Sequence, residues 1–478
     1  MNQSNVLLVV LDSVRAKNMG LYGHTKDNTP FLEEYAERST VYTQARSPGI
    51  HSVASHASLW TGMHVEQHQV VEHEDQLEPG TTIWEELTDE GYRTGIFTTN
   101  AVVAHASNLS EPFDHVVTDD LEDTTRKLFE NAHSPADVKK HEGVRGNLVR
   151  CVQDEQPVRS FLNNVHHFYL KQTNSYLRDL PTATDLVDSF LDWQRAQSGP
   201  WAACLNLMEA HFPYEPTPEY DRWGGETLRS LHSSFSKPPA YEFVGGRPWW
   251  QLEAFQHLYD GTILELDAVL RRLITSLEES GVHENTLVVV TSDHGEGFGE
   301  FSRLTGTTRM VDHSWGLHEV LTHVPLVVSY PGQTTSNEVP TISSLVEFPQ
   351  TVRDVLQGEV AHDSFVADRP VVASTYRLLE ANASMFDDSE EDAAEYLGPW
   401  RAVYQQSGDV VRKHITRHGA SVEVEVRDAQ HSYPVGLGDG ELVDATFGAL
   451  EPASVKQTEQ RELSEAVEGR LSEIGYVR

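Results

Sequence analysis

The sequence predicts an α/β fold, with a mostly parallel central sheet flanked by helices and a small C-terminal antiparallel subdomain. Three observations carry that prediction. The apolar runs Val6–Leu11 and Thr286–Val290 are continuous rather than alternating, as in strands buried on both faces. Each ends in polar chemistry, Asp12 after the first and Ser292-Asp293-His294 after the second, and in open α/β sheets that edge collects ligands. Strand-like and helix-like segments alternate between the two runs, the pattern of a sheet covered on both faces.

The remaining elements follow in chain order. Pro30–Glu37 predicts a helix with proline in its first turn, and Thr82–Glu90 a short acidic helix. Tyr92–Thr98 and Trp201–Met208 predict strands. Residues 110–180 are polar and His-bearing with weak periodicity, and read as an insertion beside the active edge. Trp223–Trp250, rich in Gly, Pro, Ser and aromatics, reads as a long loop. Thr262–Glu279 places Ile263, Leu266, Leu270, Ile274 and Leu277 at helical spacing, with Gly281 past its end. Beyond Pro331-Gly332, Ser344–Leu356 predicts one helix and Asp387–Glu395 a solvated loop or helix end. Arg401–Tyr404 and Ser421–Val426 predict strands of a smaller antiparallel unit, so the chain divides into 1–355 and 356–478.

Charge and cysteine content exclude several classes. The chain has 478 residues and a formal net charge of −37, which disfavours nucleic acid and anionic lipid as partners. The acid is dispersed, and lysine is scarce. That balance suits a protein dissolved in concentrated salt, where screening removes self-repulsion, and predicts a halophile-type cytoplasm. Two cysteines, Cys151 and Cys204, supply neither a disulfide framework nor a Cys-based metal site. Val6–Leu11 is too short and lacks the basic flank of a signal peptide, and no window has the roughly 20 apolar residues of a membrane span. The expectation is a cytoplasmic protein with no stable membrane insertion. Asn108-Leu109-Ser110 and Asn382-Ala383-Ser384 match the glycosylation triplet and are read as chance matches.

Two acidic strand ends far apart in sequence meet at one sheet edge. Asp12, Asp293 and His294 combine hard oxygens with one imidazole, a set that suits Mg²⁺, Mn²⁺ or Ca²⁺. Asp12 alone reads equally well as a helix N-cap. The third segment, Ser52 to Gly62, follows the turn pair Pro48-Gly49 and opens a helix, where free backbone N–H groups favour an anion. A hydroxyl there, next to a metal, is a candidate nucleophile; considered alone, the run is only a capped helix start.

Asn5–Asp12 followed by Gly20-Leu21-Tyr22-Gly23 closely resembles the opening of the sulfatase family, within the alkaline phosphatase superfamily. Ser55–Gly62 and Thr291–Glu296 resemble further family segments. Gly91-Tyr92-Arg93-Thr94, His211-Phe212-Pro213-Tyr214 and Val324-Pro325-Leu326 fall in the expected order. The resemblance spans most of residues 5–355 and thins beyond, although Arg401–Tyr404 resembles the first strand of the family's small C-terminal sheet. It implies one divalent metal ion held by Asp12, Asp293 and His294 together with the hydroxyl at Ser52, which stands in the place of a nucleophile that sulfatases convert to formylglycine. It places His211 near the ester anion and leaving group, and His313 where the family keeps a Lys or His on the anion's oxygens. Asn100 is a further expected contact to the ester oxygens.

Two departures qualify the resemblance. Ser13 stands where the family often has a second Asp, and Ala54 and His56 stand where formylglycine maturation expects Pro and Arg. The set is also similar to the single-metal phosphoglycerol transferases of the superfamily, which use an unmodified hydroxyl. The first expectation is a hydrolase of sulfate esters. A phosphoric ester hydrolase or transferase with unmodified Ser52 is the second, and a non-catalytic anion-binding member the third. The implied substrate is a small anionic ester, a sulfated or phosphorylated glycan or lipid headgroup.

Overall fold

The computed structural model describes residues 3–119, 128–129, 131–133, 150–154, 156–173, 180–235, 237–376, 386 and 392–473. Its central sheet has eight strands, ordered Asn337–Val339, Thr40–Tyr42, Leu326–Ser329, Thr286–Thr291, Asn5–Leu11, Trp201–Leu207, Arg93–Thr98 and His115–Val117. Only Leu326–Ser329 runs against its neighbours; the other pairings in this sheet are parallel. The Asn5–Leu11 strand lies between Trp201–Leu207 and Thr286–Thr291. Its side chains alternate between two cores: Leu7, Val9 and Leu11 face one helical layer, Val6, Leu8 and Val10 the other. Burial on both faces is why the run is apolar without a break.

The first layer includes Pro30–Ala36, Ala183–Arg195 and Trp249–Glu279, and the second includes Ser52–Thr61, Ile83–Asp89 and Phe348–Gln357. Three expectations need correction. The long loop over 223–250 contains two short helices, Glu226–His232 and Pro239–Val244, held by aromatic contacts among Phe235, Phe243 and Phe255. The helix that reads as starting at Thr262 begins at Trp249, because its first turns bury Leu252, Phe255 and Leu258 in the same core. Ser344–Leu356 is not one helix: Ser343–Ser344 pairs with Ala45–Arg46, and the α-helix starts at Phe348 with proline in its first turn. The region read as an insertion from 110 begins as part of the sheet, with His115–Val117 as its edge strand; the described part also contains a helix at Pro157–Thr173. Residues 387–391 of the acidic stretch and the triplet at Asn382 lie outside the described residues. Asn108 spends its side chain on the backbone of Leu77, so that triplet is internal.

A five-stranded antiparallel sheet follows, in the order Val371–Thr375, Trp400–Ser407, Val410–Arg417, Ala420–Val426 and Ser432–Gly436. Val371, Trp400, Tyr404 and Ile415 from it join the same core as Leu7. The chain then returns to the main body. Ala453, Gln457 and Arg461 donate backbone N–H bonds to the carbonyls of Gln67, Gln76 and Glu74, and Val467 and Leu471 enter the core behind Ser52–Thr61. Among the described residues, no helix is long and apolar enough to cross a membrane.

Buried histidines make stability acid-sensitive. Burial pushes His64, His68, His232, His318 and His323 down to about 3. With the folded value below the unfolded one, their contribution is intact above about pH 6.5 and is lost as the pH falls toward about 3. Glu209 and Asp267, raised by burial to about 7, act oppositely: they favour folding at low pH and lose that contribution as the pH rises through 7. Lowered histidines outnumber raised carboxyls, a balance that also takes in His211, His257 and His283 on one side and Glu66, Glu265 and Glu296 on the other, and they set the sign. Thermal unfolding is expected to show a lower midpoint at about pH 4.5 than at about pH 7.5; an equal or higher midpoint at the acid end contradicts it.

Candidate active site

Parallel register brings the chemistry together. Val10 is level with Asn206 on one side and Thr291 on the other, so the residues after these strands leave from one edge. Asp12, Asp293 and His294 are fully buried there, and one ligand atom from each lies within 4.8 Å of the others. Asp293 Oδ1 accepts the backbone N–H groups of Ser13 (3.3 Å) and His294 (3.0 Å). Asp293 Oδ2, also buried, has no hydrogen-bond partner among the described residues. A buried carboxylate oxygen left without a donor is costly unless a cation covers it. His294 donates from Nδ1 to Gly295 O (3.0 Å), which leaves the Nε2 lone pair for a metal. The donor set therefore fits a divalent cation.

Ser52 opens the helix Ser52–Thr61, with His51 as N-cap in extended backbone. Its Oγ is 3.3 Å from His294 Nε2, and the residue is 1% exposed. The helix N-terminus and the candidate cation position thus share the same small volume, a place for an anion. His56 supports the first turn: its Nδ1–H donates to Ser52 O (2.8 Å), while its Nε2 faces the Asn206 amide at 3.2 Å.

His313 lies among the other imidazoles, with ring centroids 4.3 Å from His294, 5.3 Å from His211 and 5.8 Å from His51. Its Nδ1 is 3.2 Å from Glu296 Oε2, and Tyr214 donates to Glu296 Oε1 (2.9 Å). Burial, with Asp312 adding to it, pushes the Glu296 carboxyl well above its usual range. His211 donates from Nδ1 to Phe212 O (2.7 Å). Burial lowers its pKa and Asp12 opposes that fall. Burial would raise the Asp12 carboxyl, but His211, His294, His56 and the Asn100 amide outweigh it and hold it low.

The structure brings Asp12, Ser52, His211, Asp293, His294 and His313 together. Asn100 Nδ2 donates to Asp12 Oδ2 (2.8 Å), and its Oδ1 accepts from Val102 N (2.9 Å) and Val103 N (3.3 Å). Both ends of the amide are engaged, and through Nδ2 Asn100 orients Asp12. Ser13, in the place of a second carboxylate, adopts φ 64° and donates from Oγ to Asp12 Oδ1 (3.0 Å). Asn206 was missed. It also donates to Asp12 Oδ2 (3.3 Å), and its signal was a lone amide inside the apolar strand Trp201–Leu207. Glu296 was visible in the Asp-His-Gly-Glu run without a role.

Comparison with known proteins gives a consistent picture. A family model described as Sulfatase matches residues 4–358. The chain is 22% identical over 429 residues to arylsulfatase K of Bos taurus, covering 83% of this chain and 68% of that protein. Among solved structures, it resembles the phosphonate monoester hydrolase of Agrobacterium radiobacter (TM-score 0.58, 16% identity, 88% and 89% of the two chains). A second similar structure is a protein in complex with its substrate D-glucosamine-2-N,6-O-disulfate (TM-score 0.56, 14% identity, 88% and 91% covered). At these identities the structural likeness speaks for the fold.

Proposed function

The chain belongs to the sulfatase family, and from that premise we propose that it is a metal-dependent hydrolase of sulfate esters with its nucleophile at Ser52. The observation that carries this reading is the meeting of Asp12, Asp293 and His294 at the N-terminus of a helix whose first residue is Ser52. A divalent cation there, Ca²⁺, Mg²⁺ or Mn²⁺, supplies Lewis acidity that lowers the pKa of an adjacent hydroxyl. Asp12, Asp293 and His294 hold it, and Asn100, Asn206 and Ser13 orient Asp12. Ser52 loses its proton to solvent, and its Oγ attacks sulfur in line as the bond from sulfur to the alcohol oxygen breaks. His211, whose Nδ1–H is committed to Phe212 O, gives its Nε2 proton to the departing oxygen, a role worth roughly 10²–10⁴ in rate. Water then cleaves the Ser52 ester at sulfur, with neutral His211 taking the proton. The first amides of Ser52–Thr61 and His313, held by Glu296, balance charge on the remaining oxygens.

A phosphoric ester substrate is the second reading, favoured by Ala54 and His56 where maturation of the nucleophile expects other residues. His56 packs inside, bonded to Ser52 O, so it is not displayed as a recognition residue. An unmodified serine suits phosphate, because a phosphoserine ester is open to attack by water. Sulfated glycans enter this proposal as the substrate class of the D-glucosamine-2-N,6-O-disulfate complex, alongside phosphorylated glycans and lipid headgroups.

Intact-mass analysis of the Ser52 peptide, before and after incubation with an aryl sulfate and an aryl phosphate, separates the two. In a heterologous host, we expect an unmodified serine and faster phosphate than sulfate turnover. An aldehyde mass with strong sulfate release defeats the unmodified serine, whereas a trapped phosphoserine with no sulfate release defeats the sulfate reading. A salt-rich cytoplasm is proposed as the setting, from the −37 charge. It requires the melting midpoint to rise between dilute buffer and molar KCl, over which the Debye length shrinks to about 3 Å.

A further inference from the structure

Three site loops hang on one short segment. Val320 O accepts from Glu296 N (3.1 Å) and Leu321 O from Gly295 N (2.9 Å), fixing the loop that carries Asp293 and His294. Thr322 O accepts from Ser47 N (2.9 Å), in the strand end leading to Ser52, and His323 O accepts from Ala16 N (3.1 Å), in the turn after Asp12. The approach is close: a Cβ on Gly295 would sit 2.0 Å from Val320 O. Residues 320–323 are therefore the common support of Asp12, Ser52, Asp293 and His294.

What fixes that support comes from the C-terminal sheet. Lys413, 1% exposed, donates from Nζ to Leu317 O (2.7 Å) and to Glu319 Oε1 (2.7 Å). Glu319 Oε2 pairs with Arg46 (2.9 Å), the residue before Ser47. Tyr404, opposite Lys413 in the neighbouring strand, shares a hydrogen bond between its hydroxyl and Thr322 Oγ1 (2.8 Å). The Arg46 and Lys413 cations lie 5.1 Å and 4.9 Å from the centre of its ring. Burial would raise the Glu319 carboxyl, but Arg46 and Lys413 outweigh it and hold it at about 2, so the cluster stays charged. A buried pair of this kind contributes little net stability against an apolar replacement, which points to its use in fixing geometry.

We propose that Lys413 and Tyr404 of the C-terminal sheet are positioning residues for the cation site, setting the spacing of Asp12, Asp293 and His294 through residues 317–323. This rests on the reading that those three residues hold a divalent cation. The test is titration of the full chain with Mn²⁺ alone, with free ion followed by electron paramagnetic resonance. Lys413→Met is expected to weaken Mn²⁺ binding about tenfold, the low end of what outer-shell substitutions cost. Tyr404→Phe, which removes only the hydroxyl, is expected to weaken it about threefold and decides the matter if Lys413→Met does not fold. Val443→Ala, a truncation in the separate apolar cluster formed with Val372 and Val403 on the other face of the same sheet, should lower the melting midpoint and leave Mn²⁺ affinity unchanged.

Unchanged affinity in folded Lys413→Met and Tyr404→Phe overturns the proposal. So does an equal loss in Val443→Ala, which would mark a merely structural effect. If the parent chain binds no Mn²⁺, or Asp293→Ala binds it as well as the parent, the cation site itself is wrong and the proposal falls with it. That pattern is distinct from Asp293-dependent binding that ignores Lys413.

Discussion

Ser52→Ala is expected to abolish ester turnover, a loss of about 10⁴-fold or more, while the fold survives. The expectation follows from what the side chain touches. Ser52 Oγ sits 3.3 Å from His294 Nε2 at the mouth of a helix. The helix does not need that oxygen. His51 is the N-cap, His56 bonds the Ser52 carbonyl, and alanine is a better helix former than serine. Steady-state rates on aryl sulfate and aryl phosphate, with circular dichroism on the same samples, check both halves. A variant retaining a tenth of the parent rate would remove Ser52 from the mechanism.

Asp293→Ala is expected to lower turnover about 10³-fold or more and to uncouple stability from added cation. In the parent chain a ligand that binds only the folded state adds stability by mass action, about 2.7 kcal/mol at 100 times its dissociation constant. Added Mn²⁺ should therefore raise the parent's melting midpoint and leave that of Asp293→Ala where it was. Without cation the order should reverse or close up, because the substitution removes a buried carboxylate oxygen that has no donor. A midpoint of Asp293→Ala that climbs with Mn²⁺ as steeply as the parent's would place the cation elsewhere.

Much of the candidate site was legible because strand geometry is local. A continuous apolar run of six residues bounded by polar residues reads as a doubly buried strand, and the residue after it is delivered to the carboxyl edge by covalent connection. Asp12, Asp293 and His294 follow from that, and their order along the chain with Ser52 supplies the family resemblance. Residues whose roles are set by distant partners were not legible. Asn100 gives no local sign of its bond to Asp12, and Asn206 is a strand residue until its two neighbours are known. Lys413 lies 94 positions from Glu319 and carries no local pattern at all. The short helices Glu226–His232 and Pro239–Val244 were hidden for the same reason, since aromatic packing rather than periodicity holds them. The helix that begins at Trp249 lost its first turns to the Gly, Pro and aromatic composition around it.

The return of the chain after the C-terminal sheet bears on the order of synthesis. Ala453, Gln457 and Arg461 lie against Gln67, Gln76 and Glu74, and Leu471 joins the apolar cluster that also buries Val53, Leu59 and Trp60 of Ser52–Thr61. These are contacts between segments nearly four hundred residues apart, so they belong to the late, slow part of folding. A ribosome making this protein releases Ser52–Thr61, Asn5–Leu11, Thr286–Thr291 and most of the sheet while that side is still open to water. Until residues 453–471 have emerged, the apolar cluster they join lacks that cover. A chain cut before residue 453 would therefore keep Asp12, Ser52, Asp293 and His294 yet leave apolar side chains of that cluster uncovered, and is expected to aggregate.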